Sequence, residues 1–557
     1  MNEIRRTLLW VILVMSLIML WDRWQEHNGR KATFFPSGKA VATAPAATAS
    51  APGADASLPA AAGSGGAAAL PNQAPAAPAA VPSERVVVQN DVLRLTLDTV
   101  GGAVVRAEML HHADMADRAR NVVLLDHSPD RVYLAQTGLI PAVGGAALPT
   151  HKTPMRLAPG ERVLPEGAQS LEVRLESEPV GGVKLVKTYT LTRGSYAVGV
   201  RHEVFNVGTQ PVAAQLYLQL LRDGNKLPGE SMFYTTFTGP AVYTEARKYQ
   251  KVDFADIDKG AVDIDKSADN GFVAMVQHYF ASAWLLNQGV TRELYARKVD
   301  QNLFSVGMIA PIGTLAPGAS KTQDARLFVG PQEEKTLEAL APGLELVKDY
   351  GWLTMLAKPL YWLLDKLYGV LHNWGWSIVA LVVLLKAGFY WLNAKAYSSM
   401  AKMKAINPRI MEMRERLKDN PQQMQQEMMR IYREEKVNPL GGCLPILVQM
   451  PFFIALYWVL LSSVEMRNAP WIGWITDLAD KDPWFILPIL MTASSLFQVW
   501  LNPAPTDPVQ AELMWIMPLA FGFMFFFFPA GLVLYWLTNN ILSIAQQWWI
   551  NKQLGVA

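Results

Sequence analysis

Lys386 is the single formal charge in the five apolar blocks that follow residue 373. An ammonium near a bilayer centre costs roughly 2.5–3.5 kcal/mol on insertion scales. One reason to keep it there is a polar cavity open to water. The other is snorkelling, because Lys386 lies several residues past the middle of its block and its stem reaches toward a surface. The other blocks carry neutral polar residues: Gln449, Thr492, Ser494, Ser495, Gln498, Asn539, Asn540 and Gln546. Each alone is more often a helix–helix hydrogen bond. Together with Lys386 they predict a wet groove.

The same blocks hold no Asp, Glu or His, so the proton relays of pumps and ion-coupled carriers have no residues to use. There is no Gly-rich phosphate loop, no GxSxG and no His-Glu metal pattern. Cys443 is the single cysteine, which excludes an internal disulfide and an all-Cys metal site. His111 and His112 are adjacent rather than at ligand spacing and read as surface residues. Leu440–Cys443 (LGGC) resembles a lipidation box but follows a basic loop far from the N-terminus. No metal, cofactor or chemical reaction is expected.

The elements that must hold Lys386 follow from composition. The chain has 557 residues, 51% hydrophobic and 18% charged, with a net charge of +2. These figures exclude a disordered chain and give no case for a nucleic-acid binder. Residues 7–21 are apolar behind Arg5 and Arg6, which reads as an uncleaved anchor or a cleaved signal. Residues 374–392, 443–462 and 484–501 each suit one span. Residues 513–550 are too long for one helix across a core about 30 Å thick. They must fold back near Pro529-Ala530-Gly531, giving spans 513–529 and 530–550, six with the anchor at 1–31 and a short tail at 551–557. The loop 395–436 has ten Lys or Arg against six acids, whereas 464–482 has two against four. The first is therefore expected in the cytoplasm with both termini, and the second outside. The cytoplasmic loop 501–512 has no basic residue, so charge bias supports this orientation only in part.

Between the first two spans lie soluble segments. Residues 32–85 are rich in Ala, Pro, Gly and Ser and read as a flexible linker with a mean reach of about 40 Å. Residues 86–345 alternate in period two between Gly-containing turns, as in a β-sandwich. Residues 352–373 repeat Leu at helical spacing and suggest an amphipathic helix on the membrane surface, or a packed soluble one. Within 395–436, Ile406, Ile410, Met413 and Leu417 mark one helical arm. Met424, Met428 and Ile431 mark a second, and Pro408 and Pro439 bracket the pair. Seven Met in 400–429 either pack this hairpin or meet varied apolar partners, with Met411, Met413, Met424 and Met428 the candidates.

NPLGGCLPILVQMPFFIALYWVL (438–460), MAKMKAINPRIMEMRERL (400–417) and FPAGLVLYW (528–536) resemble signature segments of the YidC family of membrane-protein insertases. GFVAMVQHYFASAW (271–284) and APGLELVKDYGWLT (341–354) resemble the exported domain of its Gram-negative members. The resemblance implies a polytopic α-helical membrane protein with six spans and a five-span insertase core. It implies a large periplasmic β-supersandwich of galactose-mutarotase type, a cytoplasmic helical hairpin that recruits substrate, and an inner-membrane location. Lys386 stands where many members have Arg, keeping the charge without the bidentate fork. Its groove partners are implied to be Gln449, Ser494 and Gln498, beside Asn539 and Asn540. Implied partners are nascent integral membrane proteins, lipid and the Sec translocon. Ribosome docking is weakened because the tail, NKQLGVA, has one Lys. The competing classes are a sugar-modifying enzyme and a solute carrier. Deleting residues 86–320 tests the first and solute uptake the second.

Overall fold

A computed structural model describes residues 57–59, 83–115, 117–142, 146–227, 236–417, 420–435, 444–501 and 508–553. The expected anchor at 1–31, most of the linker and residues 554–557 lie outside the described residues.

Two antiparallel nine-stranded sheets face each other. The first runs β1 (Arg85–Gln89), β2 (Leu93–Asp98), β3 (Ala103–Ala113), β4 (Asn121–Ser128), β5 (Arg131–Pro141), β10 (Val212–Asp223), β17 (Leu303–Leu315), β16 (Arg292–Asp300), β13 (Ser267–Ala268). The second runs β12 (Lys248–Lys251), β11 (Gly239–Thr244), β14 (Phe272–Gln277), β15 (Phe280–Leu286), β18 (Ser320–Pro331), β9 (Ala197–Asn206), β8 (Val183–Thr192), β7 (Ser170–Ser177), β6 (Met155–Leu157). Outer strands such as β7 alternate buried and exposed, because one face meets the core and the other water. Central strands β10, β14 and β15 are buried on both faces. Polar groups inside are matched. Tyr133 shares a 2.7 Å bond with Ser282 across the sheets. Buried Arg292 donates to the carbonyls of Val290, Gly271, Asp269 and Asn287.

The helices are α1 (Phe254–Asp258), α2 (Glu334–Leu340), α3 (Thr354–Leu371), α4 (Trp374–Gly388), α5 (Tyr390–Arg416), α6 (Pro421–Glu434), α7 (Leu444–Ser462), α8 (Ile486–Leu501), α9 (Pro508–Phe525) and α10 (Ala530–Gln553). The block expected as one span at 374–392 is broken: α4 stops at Gly388, and α5 leaves at 66°. Gly388 adds no side chain to hold the turn, and helix is weakest there. Among the described residues no single helix is long and apolar enough to cross a membrane, whereas α4 and α5 pass together as a bent pair. The first hairpin arm, expected to be bracketed by Pro408, instead begins at Tyr390 and runs through that proline. Proline removes one backbone bond there. The turn persists because Ile406 and Ile410 pack in one cluster with Ile431 of α6, and Arg409 pairs with Glu434 and Glu435.

The sandwich is joined to the helices by polar contacts. Arg467, in the α7–α8 loop, donates to the Ala113 carbonyl at 2.6 Å and lies over the rings of Tyr279 and Phe280. His278 donates from Nε2 to the Leu461 carbonyl at 2.9 Å. Arg118 reaches Asp477 and Asp480. His112, expected at the surface, is half-buried at this joint, edge-on to Phe280. Burial, then the Arg467 charge, lowers its pKa to about 4. Burial likewise takes His278 to about 4. Both imidazoles are thus neutral at pH 7.

Candidate functional site

Lys386 is held on the last turn of α4, and its Nζ donates to the Ser543 hydroxyl of α10 at 2.7 Å. Ser543 in turn donates to the Asn539 carbonyl one turn back. Lys386, Gln449 and Asn539 line one cavity with Val382, Phe389 and Tyr535. Its free space is about 20 Å³, room for roughly one water. Hydrocarbon and aromatic rings form most of the wall, so an ammonium here keeps few neighbours besides that hydroxyl.

A polar chain extends the site along α10. Gln449 of α7 donates to Asn393 Oδ1 of α5 at 2.6 Å, and Asn393 donates to Gln546 Oε1 at 3.4 Å. On another side of α10, Asn540 donates to Ser494 Oγ at 2.8 Å and reaches Ser495 at 3.4 Å. A second cavity, about 490 Å³, opens between α8 and α9 and is lined by Met491, Ser495, Val499, Met517, Phe521 and Phe525. Gln498 is half-buried on α8 and lines neither cavity.

Lys386, Gln449 and Asn539 therefore meet at one place, while Ser494 and Asn540 form a neighbouring pair. Sequence reasoning passed over Ser543 and Asn393. The signal was present: Asn539, Ser543 and Gln546 follow at helical spacing, and Asn393 sits seven residues after Lys386. Asn393 lies beyond the straight span that had been drawn.

In the helical hairpin, Met413 is buried, and Met424 and Met428 pack against the Ile406, Ile410 and Ile431 seam. Met411 points outward, 55% exposed, as does Met429. Among the described residues no group of three or more His, Cys, Asp or Glu is placed to hold a metal ion.

Residues 85–363 match the model of the YidC periplasmic domain, and residues 366–556 match that of the 60Kd inner membrane protein. A membrane protein insertase YidC of Cupriavidus necator is 57% identical over 99% of this chain and 98% of its own length. Insertases of the same name from Ralstonia nicotianae and Burkholderia cenocepacia are 53% and 52% identical, each across 99% of this chain. A crystal structure of an active YidC insertase, with its first transmembrane domain resolved, covers 84% of this chain and 92% of that one. It is 18% identical, with a TM-score of 0.38. That likeness is too slight to carry weight beside the sequence relatives.

Proposed function

The chain belongs to the YidC family of membrane-protein insertases, and from that premise we propose how its residues do the work. It is an inner-membrane insertase, with membrane proteins as its substrates. The Lys386 seam receives the polar or acidic exported segment of an incoming protein from the cytoplasmic side. In the empty state the Ser543 hydroxyl occupies the Lys386 ammonium. An acidic side chain replaces that bond to a neutral hydroxyl with an ion pair, in which donor and acceptor are both charged.

Transfer of a polar tail through hydrocarbon is costly because each unpaired group loses water. Gln449, Asn393, Asn539 and Gln546 offer substitute partners along the way. The cavity beside Lys386 admits about one water, so the helices must part to accept a chain. The larger space between α8 and α9, walled by Met491, Met517, Phe521 and Phe525, suits the apolar segment as it slides toward lipid. Burial in lipid then drives the step, without a nucleotide. The hairpin offers Met411 to the arriving segment. The sandwich lies in the periplasm, both termini lie in the cytoplasm, and the Sec translocon is a partner for a share of substrates.

The observation that carries this reading is the Lys386–Ser543 bond at the edge of the cavity lined by Gln449 and Asn539. Protease protection of a short double-span protein with an acidic loop, added to liposomes holding the full chain or its Lys386→Ala variant, tests it. Protection by the wild type and its loss in the variant are expected. Equal protection by both would remove the charge from the mechanism.

A further inference from the structure

The outer face of the first sheet is not bare around its middle strands. Ser57, Leu58 and Pro59, from the Ala/Pro-rich linker, rest on it. Leu58 packs against the cluster of Ile140 of β5, Tyr217 of β10 and Ile309 of β17, which Tyr295 of β16 also joins, and Pro59 is buried. The Ser57 carbonyl accepts from Gln219 Nε2 at 3.2 Å.

The receiving surface has the character of a built site. Gln219 is fully buried, and its amide has four hydrogen-bonding positions. Nε2 also donates to Gln136 Oε1, while Oε1 accepts from Tyr295 and Ser305. The fourth position is the one filled by Ser57. Trp284, across the core, fixes the strand by donating to the Gln219 carbonyl. Two mid-strand glycines make room for the walls. A Cβ at Gly138 would lie 2.5 Å from the Tyr217 hydroxyl, and one at Gly307 would lie 2.4 Å from the Tyr295 hydroxyl. The sheet therefore gives up two side chains where the Tyr217 and Tyr295 rings lie on this face.

The ligand suits the site in turn. Pro59 biases Leu58 toward extended backbone, so less conformational freedom is lost on docking. Leu58 is also one of the few large apolar residues in a stretch made mainly of Ala, Pro, Gly and Ser. We propose that this face of the sandwich is a peptide-binding site for an extended Leu-Pro segment, filled in cis by Ser57-Leu58-Pro59. The chain then meets the sandwich at Ser57, well before β1.

The test uses the full chain in membrane vesicles with a photoreactive diazirine leucine at position 58 or, as control, at 70. Leu70 is also followed by proline in the same linker. Irradiation and peptide mapping should place the position-58 adducts on the strands of Tyr217, Tyr295 and Ile309, at least about tenfold above those from position 70. Pro59→Gly, which leaves the sandwich untouched, should lower that yield severalfold. Equal, scattered adducts from both positions would overturn the proposal, and so would position-58 adducts joining two chains.

Discussion

The ammonium of Lys348 lies 3.1 Å from both carboxylate oxygens of Glu465, with its side chain wholly buried. It also sits 3.9 Å above the Tyr361 ring, and Tyr361 donates to the same carboxylate at 2.6 Å. Three separate parts of the chain meet here: the segment leaving the sandwich, α3 and the α7–α8 loop. Lys348→Met strands a mostly buried carboxylate, which costs about 3 kcal/mol. The expected result is a lower melting temperature and faster protease cleavage between residues 340 and 354. Adding Glu465→Gln should restore most of the loss, because the stranded charge is gone. A double variant as weak as the single one would show that packing, not charge, sets this joint.

Lys386→Ala should slow insertion of acidic-tailed substrates by about tenfold or more, the worth of one hydrogen bond to a charge. Lys386→Arg keeps the charge and should retain most activity. Ser543→Ala should be milder than Lys386→Ala, since it removes only the resting partner. Protease protection of the substrate reads all three, with a neutral-tailed substrate as the internal control.

The joint should loosen in acid. His112 and His278 have folded pKa values lowered to about 4 from an ordinary 6.5. The unfolded or undocked chain therefore binds more protons between those values, and stability falls as pH drops from about 6.5 to about 4. Hydrogen exchange of the 271–284 segment should rise across that window. His278→Gln should flatten part of the dependence. A profile flat from pH 7 to 4 would contradict this account.

In the hairpin, burial separates two kinds of residue. Ile410 is 1% exposed, so Ile410→Ala should destabilise the α5–α6 pairing by about 2–5 kcal/mol and hasten proteolysis near residue 420. Met411→Ala should leave proteolysis unchanged and lower cross-linking to an arriving apolar segment. Equal proteolysis of the two variants would mean that the seam is not where the hairpin is held.

Much of the sandwich was legible because period-two alternation reports burial on one face, as along β7. The order of its strands was not, since pairings such as β5 with β10 join residues far apart in the chain and leave no local trace. Lys386 stood out because charge is rare in apolar blocks. Ser543 did not, because a serine in a helix has many ordinary roles and its partner lies on another helix. Hydropathy marked the apolar block at 374–392 but not the helix end at Gly388, because averaging over a window hides one missing side chain. The linker's composition concealed Leu58, whose importance comes from Gln219 and two tyrosines more than 150 residues away.

The 66° elbow between α4 and α5 gives the hairpin unequal lever arms. The 27 residues of α5 make an arm of about 40 Å, whereas Lys386 lies only three residues, about 4.5 Å, on the other side of Phe389. A swing of about 10 Å at the hairpin tip turns the elbow by only about 14°, and the same turn moves the backbone at Lys386 by about 1 Å. Such a swing would displace the backbone at Lys386 by less than the length of the Lys386–Ser543 bond. Any excursion at the far end would reach the cavity geared down roughly ninefold.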